Sequence, residues 1–270
     1  MDTARELYAL RHRLAALAPL VEAPTELFTL GAGPVDRALG GGLGRGALHE
    51  IFPCAAGDGA AATGFAIALA CRAGTGTSMD AGGARPLVWV RERRASERLG
   101  HVYAQGLAEF GLDPERVTLA VAPDTLSALR AGHEASRCAA LGAVILEIHG
   151  MARELDHTAT RRLSLAAEES GVPVFLLRIG AVPQASAARS RWLIAARSSQ
   201  PAERRGLLGR PAFRAEIDKH RTVSRGTGFF LEWDHAGASF AVPALPGAVV
   251  SPVHDRPAAP ARRGRRAQAG

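Results

Sequence analysis

Lysine is almost missing from this chain: of 33 basic residues among 270, Lys219 is the only one. A phosphate-binding loop of the form GxxxxGK[ST] needs a lysine to reach the β- and γ-phosphates and a hydroxyl to hold Mg²⁺, so the shortage bears directly on nucleotide chemistry. Cysteine is scarce too. Cys54, Cys71 and Cys138 are an odd set without a C-x-x-C pair, which argues against a disulfide framework and a cysteine zinc site and fits a reducing compartment. The nine histidines form no H-E-x-x-H and no G-x-S-x-G occurs, leaving zinc-peptidase and serine-hydrolase readings without support. No apolar run approaches the roughly 20 residues of a membrane span, and the start, MDTARELYALRHRL, lacks a signal-peptide core. A soluble, cytoplasmic protein with no membrane partner and no metal or other cofactor is expected.

What is present is the patterning of an α/β protein. Hydrophobic residues make up 47% of the chain and aromatic ones 5%, enough for one good-sized core. Apolar strand candidates are 47–52, 86–90, 117–121, 143–148 and 173–177, with helix candidates at 61–72, 96–110, 124–141 and 156–170 between them. Asp124 and Asp156 suit helix N-caps, while Gly111, Gly142 and Gly171 suit helix ends. Strands this apolar are buried on both faces, so a mainly parallel sheet flanked by helices follows. After residue 190 the runs RWLIAARSS, AFRAEIDKHR, GFFLEWDH and ASFAVP read as strands of an antiparallel extension. Residues 1–29 form an N-terminal helix and linker, with Leu7, Leu10, Leu14 and Leu17 on one stripe that packs on its own domain or on a partner. Residues 30–245 form the core and its strand extension. Residues 246–270 are a Pro/Ala/Arg-rich tail that cannot bury enough apolar surface to fold. The net charge is +7, and residues 251–270 alone hold five arginines against one aspartate.

The residues that could carry chemistry follow the strands. LGGGLGRGALHEIF (39–52) runs into PCAAGDGAAATGFAIALA (53–70), the order of glycine turn, strand, loop and helix that opens a phosphate-binding unit. Gly57, Asp58, Gly59 and Ala60 stand where the motif needs Gly, Lys and Ser/Thr, and neither register restores them. Gly57 and Gly59 still offer backbone N–H groups, but the Asp58 carboxylate repels a phosphate. Glu147 ends an apolar strand where an acid orients Mg²⁺ in nucleotide hydrolases, although a carboxylate at a strand end is common without any metal. Glu92, in the run RERR, could activate water; a surface ion pair with Arg91, Arg93 or Arg94 is the plainer reading. The basic residues Arg178, Arg189, Arg191, Arg204, Arg205, Arg210, Arg214, Lys219, Arg221 and Arg225 are candidate DNA or partner contacts, with a solvated face as the alternative. On strands, Arg214, Glu216 and Asp218 would share a face and partly neutralise one another.

LGGGLGRGALHEIF, VWVRERR, FGLDPERVTLAVAPDT and GAVILEIHG together resemble the ATPase core of RecA recombinases over residues 30–180. The missing phosphate-binding residues, with AAATGFAIALA, TATRRLSLAAEESGVPVFLLR, KHR and FFLEWD, resemble the ImuA family of RecA-like proteins over most of residues 1–240. That resemblance implies a RecA-like P-loop NTPase core and a bacterial, damage-inducible accessory of translesion DNA synthesis. It implies partnership with an ImuB-like Y-family protein and an error-prone C-family DNA polymerase, with RecA and single-stranded DNA as further candidates, and association with the nucleoid during damage. It also implies that Glu92 stands at the position of the RecA catalytic glutamate, and that 149–156 and 178–191 match the DNA-contacting loops. Such proteins are sometimes labelled SulA-like. The expected function is a non-catalytic scaffold, a pseudo-ATPase. The alternatives are a divergent DNA-stimulated ATPase using Glu92 and Glu147, and a SulA-like cell-division inhibitor.

Overall fold

The computed structural model describes residues 26–75, 85–199 and 209–243. The leucine stripe at Leu7 to Leu17, Arg204, Arg205 and the tail from 246 lie outside them. The described chain runs β1 (Leu27–Phe28), α1 (Gly33–Ala38), β2 (Leu43–Gly44), β3 (Leu48–Pro53), α2 (Gly59–Gly74), β4 (Leu87–Glu92), α3 (Arg93–Leu99), α4 (Ala104–Glu109), β5 (Val117–Ala122), α5 (Thr125–Ser136), β6 (Ala143–His149) and α6 (His157–Ser170). It continues through β7 (Val174–Ile179), β8 (Ser190–Arg197), β9 (Ala212–Lys219), β10 (Thr227–Asp234) and β11 (Ser239–Ala241). Among the described residues no helix is long and apolar enough to cross a membrane.

Nine strands form one sheet in the order β11-β10-β9-β8-β3-β7-β6-β4-β5. From β5 to β8 every pairing is parallel. From β8 outward to β11 every pairing is antiparallel. The run after residue 190, expected to open the antiparallel extension, therefore pairs parallel with β3 on one side and antiparallel with β9 on the other. Four of the five apolar runs are buried on both faces because helices cover both; the fifth, β5, expected to be buried likewise, is the edge strand and leaves Leu119 and Val121 exposed. Ile51, Ile145, Phe175, Leu177 and Trp192 face α2, whereas Leu48, Val90, Val144, Leu146 and Leu176 face α5 and α6.

Helix α2 is rich in alanine and buried along nearly its whole length, so its backbone lies close to the strands beneath it. The few aromatic residues are concentrated beside it. Phe65 meets Trp192, Phe213 and Phe240 at ring-centroid distances of 5.5, 5.7 and 5.2 Å, tying α2 to β8, β9 and β11. Each such ring contributes about 1.5–3 kcal/mol by burial, so a chain poor in aromatics has placed them where parallel and antiparallel parts join. The glycine turn before β3 is tight for a definite reason. At Gly42 φ is +137° and a Cβ would meet the Phe28 carbonyl oxygen at 2.2 Å, so only glycine lets β2 return alongside β1.

Capping explains the ends of the longer helices. Asp124 accepts from Ser127 N at 2.8 Å and Asp156 from Ala159 N at 2.7 Å, each worth about 1 kcal/mol. Gly171 closes α6 with φ 74°. Two boundaries differ from the sequence reading. The helix expected over 96–110 is two helices, α3 and α4, parted at Gly100 with φ 77°. Helix α5 stops at Ser136 rather than 141, and Gly142 does not cap it. A Cβ at Gly142 would meet Gly74 Cα at 2.9 Å, so that glycine serves a close backbone approach at the start of β6.

Candidate functional site

Strand β3 delivers the loop 53–58 to the carboxyl end of the sheet, and α2 begins just beyond it. In this loop the Asp58 carboxylate turns back on the chain: Oδ2 accepts from Ala55 N at 3.1 Å and Oδ1 from Ala196 N, on β8, at 2.9 Å. A negative group therefore already sits at the start of α2, where the helix dipole favours an anion. At Gly57 an added Cβ would meet nothing within 4 Å and at Gly59 only Ile179 Cγ2 at 3.8 Å. Neither glycine is at a conformation that demands it. Ala60 is exposed in the first turn and carries no hydroxyl. The nucleotide that a RecA-like fold implies does not fit this loop: the lysine is absent and the Asp58 carboxylate, held by Ala55 N and Ala196 N, sits at the head of α2.

The two acids at neighbouring strand ends are engaged as well. Glu147 is fully buried on β6. Its Oε2 accepts from Arg91 Nε at 2.7 Å and Trp89 Nε1 at 3.0 Å, and its Oε1 from His149 Nε2 at 2.8 Å and Arg91 Nη2 at 3.3 Å. Four donors occupy the acceptor sites of a carboxylate, so no oxygen is left open toward a metal ion. Burial pushes the Glu147 carboxyl upward, but the hydrogen bonds from His149 and Arg91 and the Arg91 charge hold it below its usual value.

Glu92, expected in a surface ion pair, is instead 2% exposed. It accepts from the Thr125 hydroxyl and, at 3.1 Å, from His149 N. The physical reason is strand alternation: Arg91 and Glu92 point to opposite faces of β4. Arg91 goes to Glu147 on the α2 side, Glu92 goes toward α5, and Arg93 and Arg94 stay exposed on α3. Thr125, at the start of α5, holds Glu92 in place. Among the described residues no group of three or more His, Cys, Asp or Glu could hold a metal ion.

The basic residues divide into three sets. Arg178 and Arg191, expected on DNA-contacting loops, are buried, at 3% and 8% exposure. Arg191 lies between Glu50 (2.8 Å) and Asp218 (3.2 Å) and donates further to Ser186 Oγ and the Gln184 carbonyl. Arg178 packs over Phe52 at the end of β7, and burial lowers its pKa while Glu50 and Glu92 raise it. A second set is neutralised near the surface: Arg214 by Glu216 at 2.8 Å, Arg225 by Asp218 at 2.6 Å and Arg210 by Asp234 at 3.4 Å. The Arg214–Glu216 pair follows the shared face seen in the sequence, whereas Asp218 turns to the opposite partners.

The third set converges. Arg189, Lys219 and Arg221 line one cleft with His220, Arg161, Ser164 and Glu168. The sequence reading missed Arg161, which lies within a helix that carried no sign of function beyond its cap. Burial, then the Arg191 charge, lowers the Lys219 pKa. Burial followed by Arg189 lowers that of His220.

No family model matches the chain. Curated relatives do: Protein ImuA of Caulobacter vibrioides, in strain NA1000 / CB15N and in strain ATCC 19089 / CIP 103742 / CB 15, is 31% identical over 256 residues, covering 90% of this chain and 96% of that protein. The chain belongs to the ImuA family. Among solved structures, the RadB recombinase superposes with a TM-score of 0.52 at 15% identity, over 81% of this chain and all of that one. This ImuA-family member therefore has a RecA-like fold whose loop and strand-end acids are turned inward.

Proposed function

We propose that this ImuA-family protein is a non-catalytic RecA-like accessory of damage-induced translesion DNA synthesis. In this reading it is a pseudo-ATPase that acts by holding partners. An ImuB-like Y-family protein and an error-prone C-family DNA polymerase are those partners, with RecA and single-stranded DNA as further contacts, in the bacterial cytoplasm. The observation that carries the reading is Asp58, whose carboxylate accepts from Ala55 N and Ala196 N at the head of α2. Phosphate binding depends heavily on positive charge and free backbone donors, and this loop supplies a negative charge and engaged donors instead. The saturation of Glu147 supports the same reading.

Glu92 favours one competing reading, a divergent DNA-stimulated ATPase, because it stands at the end of β4 held by Thr125 and His149 N. A titration with a fluorescent ATP analogue and Mg²⁺, with and without single-stranded DNA, followed by phosphate release, decides between them. The scaffold reading expects no binding at millimolar nucleotide. Micromolar binding with DNA-stimulated turnover that falls in Glu92→Gln would replace it with an active motor.

A further inference from the structure

The two halves of the sheet are covered differently. Over the parallel strands α2 lies on one face and α5 and α6 on the other. The antiparallel strands β8, β9 and β10 bury their α2 side, through Trp192, Ile194, Phe213, Ala215, Leu231 and Trp233. Strand alternation turns their intervening residues the opposite way. Beyond the buried Arg191–Asp218 pair, the register sets that outer face in three rows: Leu193, Glu216 and Gly228, then Ala195, Arg214 and Phe230, then Arg197, Ala212 and Glu232. None of these residues is buried, and Phe230 at their edge stands 45% exposed. Arg197 reaches across the small Ala212 and lies over the Phe230 ring, 4.5 Å from its centroid. Arg214 is neutralised by Glu216 at 2.8 Å. Arg197 and Glu232 form no ion pair among the described residues, because two strand spacings, roughly 9–10 Å, separate their backbones.

We propose that this face is an isologous interface with a second copy of the chain, closed by a two-fold axis parallel to β9. Such an axis lays β8 of one copy over β10 of the other. Arg197 then meets the partner's Glu232, and Glu232 meets the partner's Arg197, so the two charges left unpaired in one copy are paired twice in two. Size matches as charge does. Phe230 faces Ala195 of the partner subunit and Leu193 faces the partner's Gly228, each large side chain over a small one. Ala212 falls on the axis, where a larger residue would hold the sheets apart. Arg214 and Glu216 fall there too, already neutralised by each other. Facing sheets pack about 10 Å apart, the depth of the layer that α5 and α6 fill over the parallel half. An exposed arginine stacked on an aromatic ring is also the kind of anchor on which interfaces are built. Two arginines against two glutamates leave the face without net charge, which favours a like surface over a polyanion. The inference is independent of the scaffold reading, since it requires neither nucleotide nor DNA nor another protein.

The test is sedimentation equilibrium of the full chain over about a hundredfold range of concentration, with each variant first shown to fold by circular dichroism. The parent should behave as a monomer–dimer equilibrium. Arg197→Glu sets like charges against each other at two places and should weaken the dimer about tenfold or more. Adding Glu232→Arg restores opposite charges and should recover the parental dissociation constant. Phe230→Ala removes the anchor and should weaken the dimer about tenfold. A parent that stays monomeric throughout overturns the proposal, as does a dimer indifferent to both Arg197→Glu and Phe230→Ala. Failure of the double reversal to recover association overturns the two-fold pairing. Association that vanishes instead when Leu119→Lys charges the β5 edge places the contact there and overturns it as well.

Discussion

At the carboxyl end of the sheet Glu147 meets four donors, Glu92 two and Asp58 two; at the amino end Arg161, Arg189, Lys219 and Arg221 gather round Glu168. Open α/β sheets ordinarily bind ligands beyond the carboxyl ends of their strands. In this protein the acids at that end are engaged internally, and basic side chains line a cleft at the other. A site with every acceptor engaged works as a clasp.

The sharpest way to break the contrast is to open the clasp. Glu147→Ala strands the buried Arg91 guanidinium and should lower the unfolding free energy by roughly 3–5 kcal/mol, read from urea denaturation with an unchanged m-value. A loss below about 1 kcal/mol would mean that water reaches the network and that the carboxyl end is not closed.

The next effect comes from a buried base near the amino end of β3. His49 is held by Ser190 Oγ at 2.8 Å and the Gly44 carbonyl at 2.9 Å, and burial lowers its pKa from 6.5 to about 4. The folded state thus binds fewer protons than the unfolded chain between those values, so stability falls as pH drops from about 6.5 to about 4, by on the order of 3 kcal/mol. Glu147 contributes in a lower window. Its folded pKa lies below 4.5, so its stabilisation is present above that value and is lost as pH falls through the folded one. Urea unfolding at pH 7, 5.5 and 4 should show the first decline, and His49→Asn should flatten it.

The smallest of the three effects concerns the loop. Asp58→Ala leaves Ala55 N and Ala196 N without their acceptor and should destabilise by about 1–2 kcal/mol. Millimolar phosphate should then raise the midpoint temperature of the variant and leave the parent unmoved. Equal stabilisation of both proteins would show that Asp58 does not guard those donors.

Much of the scaffold was legible because it depends on local pattern. Five apolar runs became five of the six strands that pair in parallel, and Asp124, Asp156 and Gly171 marked helix ends through bonds made within a few residues. Gly142 misled because its requirement is non-local: the close partner is Gly74, across the domain. The same distinction separates the charged residues. Arg214 and Glu216 share a strand face, so their pairing could be read directly. Arg191 finds Glu50 from 141 residues away, a meeting that only the pairing of β3 with β8 creates. The missing lysine was visible at once, but the other role of Asp58, accepting from β8, was not. Arg161 carried no signal, since an arginine on a helix is ordinarily solvated.

One rim of the sheet carries a consequence for handling the isolated protein. Among the described residues β5 has a single neighbour, β4, so one side of its backbone has no described partner, and Leu119 and Val121 stand 40% and 51% exposed beside it. Such an edge is a ready template for another extended chain. Covering the six residues of β5, with a partner strand or with charged substitutions at Leu119 and Val121, should raise the concentration at which stocks turn cloudy.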